Sequence, residues 1–395
     1  MNLPLKGLRV LTVEQFGAGP YGSMFLADLG AEVIKLEAPG RGDASRQVGP
    51  HELGEADSQY FQTFNLNKRS LTLDLKSARG QAVLHRLVAG ADALLNNLKG
   101  DQPEKLGLTY LALRAHNPRL VCAHLSAYGR DNARAAWPGF DYLMQAEAGF
   151  MGLTGEPDSP PARFGLSIID FMTGITCALG LLAAVMAARE HGEGRDVDVS
   201  LFDVALHQLS YPATWYLNAG EVTGRLPRSA HPSTVPTQLF PTADGWIFVM
   251  CMLERFWQEL IQAMGREDLA ARPEFTDMAA RRTHRDALTE VLDAEFRKRT
   301  TAEWLEALQG RLPVGPVLDL PQALDNAFVR EVGMLQDVAH PLAGSLRTLR
   351  NPIRLDGERL SGEACPPLGA DSEALLKEAG FTAEDIRALR EDGII

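Results

Sequence analysis

Short apolar runs and longer amphipathic stretches alternate along most of this chain. Residues 8–14 form a mostly apolar run, 33–37 form another, and 20–29 can make a helix with Pro20 near its first turn. Residues 70–75 (SLTLDL) alternate as a strand does, 78–89 read as helix, and 93–95 and 120–125 as further strands. After a looser stretch at 128–139, residues 195–199 (RDVDV) suggest one more strand, leading into a helical 201–217. This repeated alternation predicts an α/β layer with a largely parallel sheet.

Residues 220–235 are rich in Gly, Pro, Ser and Arg and mark a domain boundary. Beyond it, 238–240 and 246–250 flank Asp244-Gly245, a hairpin signal, and amphipathic helices follow at 256–264, 286–298 and 302–308. This smaller α/β piece ends near 339. Helix resumes in the tail from 366, where Thr382 and Asp385 form a capping-box pattern. The expected division is a large domain from 1–220 and 340–395, with a small domain at 225–339.

At 395 residues two domains are expected. A formal net charge of -12 argues against a nucleic-acid partner, which would need many Lys and Arg on phosphates. Cys122, Cys177, Cys251 and Cys365 are scattered, without the spacing of a zinc site or disulfide framework. The opening residues run into strand-like alternation without a secretory pattern. A cytoplasmic location without metal is therefore expected. The charge-free stretch 171–188 contains Thr173, Gly174, Thr176, Cys177 and Gly180, and reads as a buried core helix rather than a membrane span.

Two segments carry candidate chemistry. Gly17-Ala18-Gly19-Pro20-Tyr21-Gly22 matches GxGxxG between a strand and a helix, and Glu37 ends the next strand, where a dinucleotide fold would hold a ribose. An NAD-dependent oxidoreductase is one reading; a tight glycine turn is the other. Pro20 removes an N–H where a pyrophosphate needs donors. In the second segment, the proline-rich GEPDSPP (155–161) is followed by GLSIID (165–170), which delivers Asp170 to the start of the apolar helix. Asp there is commonly a helix cap, yet a carboxylate at a helix N-terminus with apolar surroundings can also attack a thioester.

The chain resembles the family III CoA-transferases, which include formyl-CoA and carnitine CoA-transferases. The resemblance runs through LRVLTVEQFGAGPYGSMFLADLGAEVIKLE (8–37), GRGDASR (40–46), NLNKRSLTLDLK (65–76), ALLNNLKGDQPEKLGL (93–108), TGEPDSPPARFGLSIIDFMTGI (154–175), PTADGW (241–246) and LPVGPV (312–317). It implies a Rossmann-like large domain, a smaller α/β domain and an interlocked homodimer. It also implies Asp170 as nucleophile. CoA contacts fall on Phe16, Gly17, Leu73, Lys76, Asn97, Leu98 and Lys105, with Arg46, Lys68 and Arg69 as phosphate neighbours. Coenzyme A enters as substrate, with no permanently bound cofactor, and a pair of dicarboxylates such as succinate and another diacid is the family-level expectation.

Three departures qualify the resemblance. Ala38 stands where some members are basic, leaving Arg41 to substitute. Trp137-Pro138 replaces a basic residue before Gly139-Phe140-Asp141, leaving Arg134 as the nearest candidate. His231-Pro232-Ser233-Thr234 replaces the glycine-rich loop of formyl-CoA transferase, which argues against oxalate as the default acceptor. The related α-methylacyl-CoA racemases pair an Asp with a His, but Phe140 occupies that His position. A racemase remains the alternative, with His231 as a remote second base.

Overall fold

Six strands build one parallel sheet: β1 (Arg9–Val13), β2 (Glu32–Glu37), β3 (Arg69–Thr72), β4 (Ala93–Asn96), β5 (Val121–Ser126) and β6 (Arg195–Ser200). The order across the sheet is β3-β2-β1-β4-β5-β6, so the direction of strand addition reverses between β1 and β4. Such a reversal opens a crevice at the carboxyl ends of the two strands, the usual ligand position in doubly wound sheets. In this computed structural model, which describes residues 2–395, that crevice is where the candidate site lies.

The strand sequences explain the sheet. VLTV, VIKL and the ALLN run of β4 are buried almost throughout, as strands covered on both faces must be. One face is covered by helix 78–89 and by two helices of the tail, Ser372–Glu378 and Ala383–Glu391. Their Leu84, Val88, Leu375, Leu376, Ile386 and Leu389 join Leu11, Ile34, Leu71 and Leu94 in a single core. The last of these helices starts with the expected Thr382–Asp385 capping box.

The other face holds α1 (Ala18–Asp28) against a long helix, α2 (Ile168–His191). They touch backbone to backbone. A Cβ on Gly22 would collide with the Gly174 carbonyl, and one on Gly174 would collide with the Ala18 carbonyl. By length and composition α2 is apolar enough to span a bilayer. In the fold, Ile169, Thr173, Cys177, Leu181 and Val185 are buried, while Leu179 and Met186 are 69% and 72% exposed.

The chain divides into two units. One comprises residues up to Ala148, Gly165–Leu209 and Ala327–Ile395; the other comprises Gly149–Phe164 and Ser210–Asn326. The breaks thus lie at 210 and 326 rather than at 220–225 and 339, and 149–164 joins the second unit. The expected helix at 201–217 is two helices, Leu201–Gln208 and Ser210–Ala219, because Ser210 takes a left-handed conformation (φ 52°). In the second unit Thr237–Pro241 pairs antiparallel with Trp246–Met250 across the Asp244-Gly245 turn, and Val314–Pro316 adds a third strand. Trp257, Phe240, Phe296 and Trp304 fill this unit's own core.

The glycine crossing gives a direct test. Gly174→Val should destabilise the protein by about 1–3 kcal/mol or more, since a branched side chain must separate two backbones in contact. Gly180→Val, on the same helix, meets only a side chain (Val197) at 3.1 Å and should cost less. Urea denaturation of both variants checks the ranking.

Candidate active site

The turn after β1 is built on charges taken out of water. Lys35 on β2 donates from Nζ to the Glu14 carbonyl at 3.0 Å and pairs with Asp43 at 2.8 Å, all three side chains being fully buried. Lys68 Nζ donates to Glu14 Oε1 (2.8 Å), the Pro20 carbonyl (3.0 Å) and Asn65 Oδ1 (2.9 Å). Burial pushes the Lys68 ammonium down to about 8, with Glu14 opposing the shift. Asp43 Oδ1 accepts the backbone N–H groups of Ser45 and Phe16. That second bond holds Phe16 at φ 61°, a conformation most side chains avoid.

Beside it, the Asn97 side chain spans the switch point. Its Oδ1 accepts from Gln15 N at 2.9 Å and its Nδ2 donates to Gln15 O at 2.7 Å, continuing the β1–β4 ladder by one side-chain rung. The chain then turns into α1 at Gly17. The first amides of α1 have no acceptor within the helix, as at any helix start.

Asp170 lies in the first turn of α2, close against that turn: a Cβ on Gly17 would sit 3.1 Å from Asp170 Oδ2. The Asp170 backbone N–H donates to Asp141 Oδ2 at 3.0 Å, and Asp141 Oδ1 accepts from Gln145 Nε2. Asp141 is buried, so its charge is poorly screened at Asp170. Burial first, and the Asp141 charge second, push the Asp170 carboxyl up to about 7.

A cavity of about 410 Å³ opens over these groups. Gln15 to Ala18 line it from β1, Asn97 to Lys99 from β4, and Leu125 to Ala127 from β5, with Asp170 and Leu201 completing that wall. Trp137 and Phe140 close one side, and Phe140 meets Phe16 edge to face at 5.9 Å. The combination of apolar walls, one perturbed carboxyl and a cation suits a substrate with a long polar arm and a reactive carbonyl.

Of the residues expected here, the fold gathers Phe16, Gly17, Asn97, Leu98 and Asp170 around this cavity. Arg46 is elsewhere. Its guanidinium is fully buried, bidentate to Glu37 at 2.7 and 2.8 Å and 3.8 Å from the Phe61 ring centre, so it is not free for a phosphate. Lys68 and Arg69 are likewise committed, Lys68 to Glu14 and Arg69 to Glu32 and Glu378. Leu73 is core, Lys76 is exposed in the turn after β3, and Lys105 pairs with Asp101 beside a separate polar cavity. Arg134 braces the aromatic wall, lying over Tyr128 and Trp137. Arg41 is exposed.

Glu37 accepts from Arg46, Ser70 and the Asp43 amide, which removes the acidic group a ribose would need. His231 is in the second unit, hydrogen-bonded to Tyr211. Among the described residues, no cluster of three ligating side chains could hold a metal.

The sequence reading missed Lys99 and Asp141. Lys99 follows Asn97-Leu98 directly and is a cation lining the Asp170 cavity. Asp141 stands in the GFD element, next to Phe140. Its role depends on a through-space approach to residue 170, which spacing does not disclose.

Comparison with known proteins identifies the family. Residues 5–372 match the model for CoA-transferase family III. A succinyl-CoA:mesaconate CoA-transferase from Haloarcula marismortui is 35% identical over 401 residues, covering 98% of this chain and 99% of the relative. A succinate–glutarate CoA-transferase from Agrobacterium fabrum is 32% identical over 382 residues, covering 95% of each. The crystal structure of a CAIB/BAIF family protein from Brucella suis superposes with a TM-score of 0.82 at 31% identity, over 96% of this chain and 100% of that one. With a matching family model over nearly its whole length and a doubly wound sheet that opens its cavity at the switch point, this chain belongs to the family III CoA-transferases.

Proposed function

We propose that this enzyme moves CoA from succinyl-CoA, or a similar short acyl-CoA, to a second dicarboxylate, with Asp170 as the covalent carrier. One observation carries the reading: a single perturbed carboxyl, at a helix start, faces a cavity of about 410 Å³ at the switch point of the sheet. The two relatives named above act on succinyl or succinate and a second diacid, which supports the substrate class.

An Asp170 oxygen attacks the donor thioester carbonyl; the C–S bond breaks, CoA leaves as thiolate and an aspartyl-acyl anhydride forms. The thiolate attacks the Asp170 carbonyl of the anhydride, freeing the donor acid and leaving an aspartyl-CoA thioester. The acceptor carboxylate attacks that thioester, expelling CoA thiolate and forming a new anhydride. Finally the thiolate attacks the acceptor's acyl carbonyl, and Asp170 departs as carboxylate. One thioester replaces another, so no ATP is consumed. Each addition places negative charge on a carbonyl oxygen beside Asp170. The α1 amides at Gly17 and Ala18 are suited to receive it, being donors at a helix start in the turn beside Asp170. Lys99 supplies a positive charge for the CoA arm or a substrate carboxylate.

We further propose a cytoplasmic, interlocked homodimer. The exposed Leu179 and Met186 on α2 support a partner surface, and both ends of the chain belong to one unit with the second unit inserted between them.

Asp170→Ala should fold and bind CoA yet lose transfer by several orders of magnitude, because no other group can form the anhydride. Hydroxylamine added during turnover should label the peptide containing Asp170 in the parent alone. Transfer near the parent rate in the alanine variant refutes the mechanism.

The ionised form attacks, so the rate should rise with pH through about 7. Asp141→Asn removes a neighbouring negative charge and should move that limb to lower pH. The stability effect has the opposite sign. A carboxyl raised from its ordinary value to about 7 costs the folded state progressively as pH rises between those values. Asp170→Asn should therefore melt above the parent at pH 8, with the difference shrinking toward pH 4. Thermal melts at both pH values, alongside the pH–rate profile, check the assignment.

For the dimer, sedimentation from micromolar to nanomolar concentration should show one species, since threaded chains separate only on unfolding. A folded, active monomer appearing reversibly on dilution excludes threading.

A further inference from the structure

A short helix, Asp141–Glu147, packs against α2. Asp141 and Gln145 lie four residues apart on it and so share one face, where an Asp and a Gln can hydrogen-bond. Both are buried, Gln145 completely. Gln145 Nε2 donates to Asp141 Oδ1 at 2.5 Å and to the Leu166 carbonyl at 3.2 Å. Because both partners are acceptors, the amide must present its nitrogen to them, which fixes its orientation. Leu166 belongs to the GLSIID segment that leads into α2. One amide therefore joins the Asp141 carboxylate to the backbone four residues ahead of Asp170.

The start of α2 lacks a cap of its own. The third amide of a helix, here that of Asp170, is commonly bonded by the side chain of the capping residue. Ser167 occupies that place and makes no such bond. Asp141 Oδ2 takes the Asp170 N–H instead, at 3.0 Å. Asp141 thus caps the first turn of α2 and also sets a negative charge beside the Asp170 carboxyl. The two effects conflict. Like charges repel, and a carboxylate free to rotate would turn away from Asp170 and leave the helix uncapped.

Other charges around the pair are paired, distant or in water. Glu147, on the same helix as Asp141, pairs with Arg134. Helix Leu201–Gln208 also packs there, and its Asp203 and His207 are exposed. From α1 comes Tyr21, stacked near Phe171, and at the far end Asp28, bound by Asn67 and Asn351. On β5 and β6, His124 and Asp196 bond each other. Tyr60 feels the Asp170 charge, and Lys99 lines the same cavity.

We infer that Gln145 is a positioning residue for Asp170: its amide clamps Asp141 to the Leu166 carbonyl and so holds one carboxylate in place as the cap of α2 and the charge beside the other. Gln145 does not line the cavity, so it acts through Asp141 and touches no substrate. A glutamate would add a third charge, and an apolar residue would supply no donor. Naming Asp170 the nucleophile rests on the transfer reading above; the clamp itself does not.

Two variants of the full chain test this. Gln145→Met keeps the volume and removes the donor, while Gln145→Asn keeps an amide but shortens its reach. Thermal melts need no activity. Asp170→Asn should raise the melting temperature at pH 8, since it removes a carboxyl that resists ionising. In either Gln145 background that gain should fall by roughly half, persisting in part because burial still acts on Asp170. In transfer assays the rising limb of the pH–rate profile should move about half a pH unit lower, and adding Gln145→Met to Asp141→Asn should move it no further. CoA affinity should stay that of the parent. A melting temperature lowered equally at every pH, with the Asp170→Asn gain unchanged, makes Gln145 a packing residue and overturns the inference, whether or not the protein transfers CoA. A halved gain in a protein that transfers no CoA upholds the clamp and refutes the proposed reaction.

Discussion

The arrangement around Asp170 depends on how closely two helices can approach. Between α1 and α2 the contact is main chain on main chain, possible only because Gly22 and Gly174 lack side chains. Ordinary helix pairs stand 8–10 Å apart, roughly, with side chains filling the gap. Removing that filling lets the start of α2 reach the turn that leads into α1, so that a Cβ on Gly17 would lie 3.1 Å from the Asp170 carboxylate. The third glycine of the GAGPYG motif is thus a packing residue. In dinucleotide-binding folds the same position also serves close packing. The motif therefore matches the pattern without requiring its ligand.

A close approach orients a reactive group only if the opposing turn is rigid. The turn after β1 is held by six ionisable side chains with almost no exposure: Glu14, Lys35, Glu37, Asp43, Arg46 and Lys68. Burying such charges is expensive, and their mutual attraction offsets the cost only when the geometry is good and the remaining polar atoms are satisfied. Here the pairs do more than neutralise each other. Lys35 also bonds the Glu14 carbonyl and Asp43 bonds the Phe16 amide, so the charges grip the main chain on both sides of Gln15. An apolar replacement of equal volume could stabilise the fold but would release Phe16 from its left-handed conformation. The charges therefore position the backbone.

This distinction explains what the sequence disclosed. Hydrophobic alternation located all six sheet strands, the Asp244-Gly245 hairpin and the final capping box, because each depends on local pattern or on burial. It also singled out Asp170, whose context of proline turn, apolar helix and flanking glycines is contiguous in sequence. The basic residues were harder to read. Arg46, Lys68 and Arg69 look like phosphate ligands because they are cationic and lie in the right segments, yet their partners Glu37, Glu14 and Glu32 are nine to fifty-four positions away in the chain. Lys99 looks no different in one dimension but faces the cavity. Whether a cation is committed or available is decided by tertiary pairing. The break at Ser210 was also hidden, since a serine in an otherwise helical run gives no warning of a positive φ.

The environment of Asp170 pulls its proton affinity in two directions, and on the proposed route the balance suits a group that both attacks and leaves. The start of α2 and its dipole favour the anion, whereas burial and the Asp141 charge disfavour it, and the second pair prevails. A carboxylate less acidic than its substrates is a stronger nucleophile toward a thioester than they are. It is also a poorer leaving group, which would slow the final step if the shift persisted throughout. Once Asp170 is acylated on that route, however, it is uncharged, and the repulsion from Asp141 disappears. That repulsion thus raises the energy of the free nucleophile and not of the acyl-enzyme, favouring attack. In the reverse direction it must be overcome as the Asp170 anion re-forms. On the proposed route, Asp141 and the α1 amides are opposed influences on one carboxyl, and near-equal rates in the two half-reactions require that neither dominate.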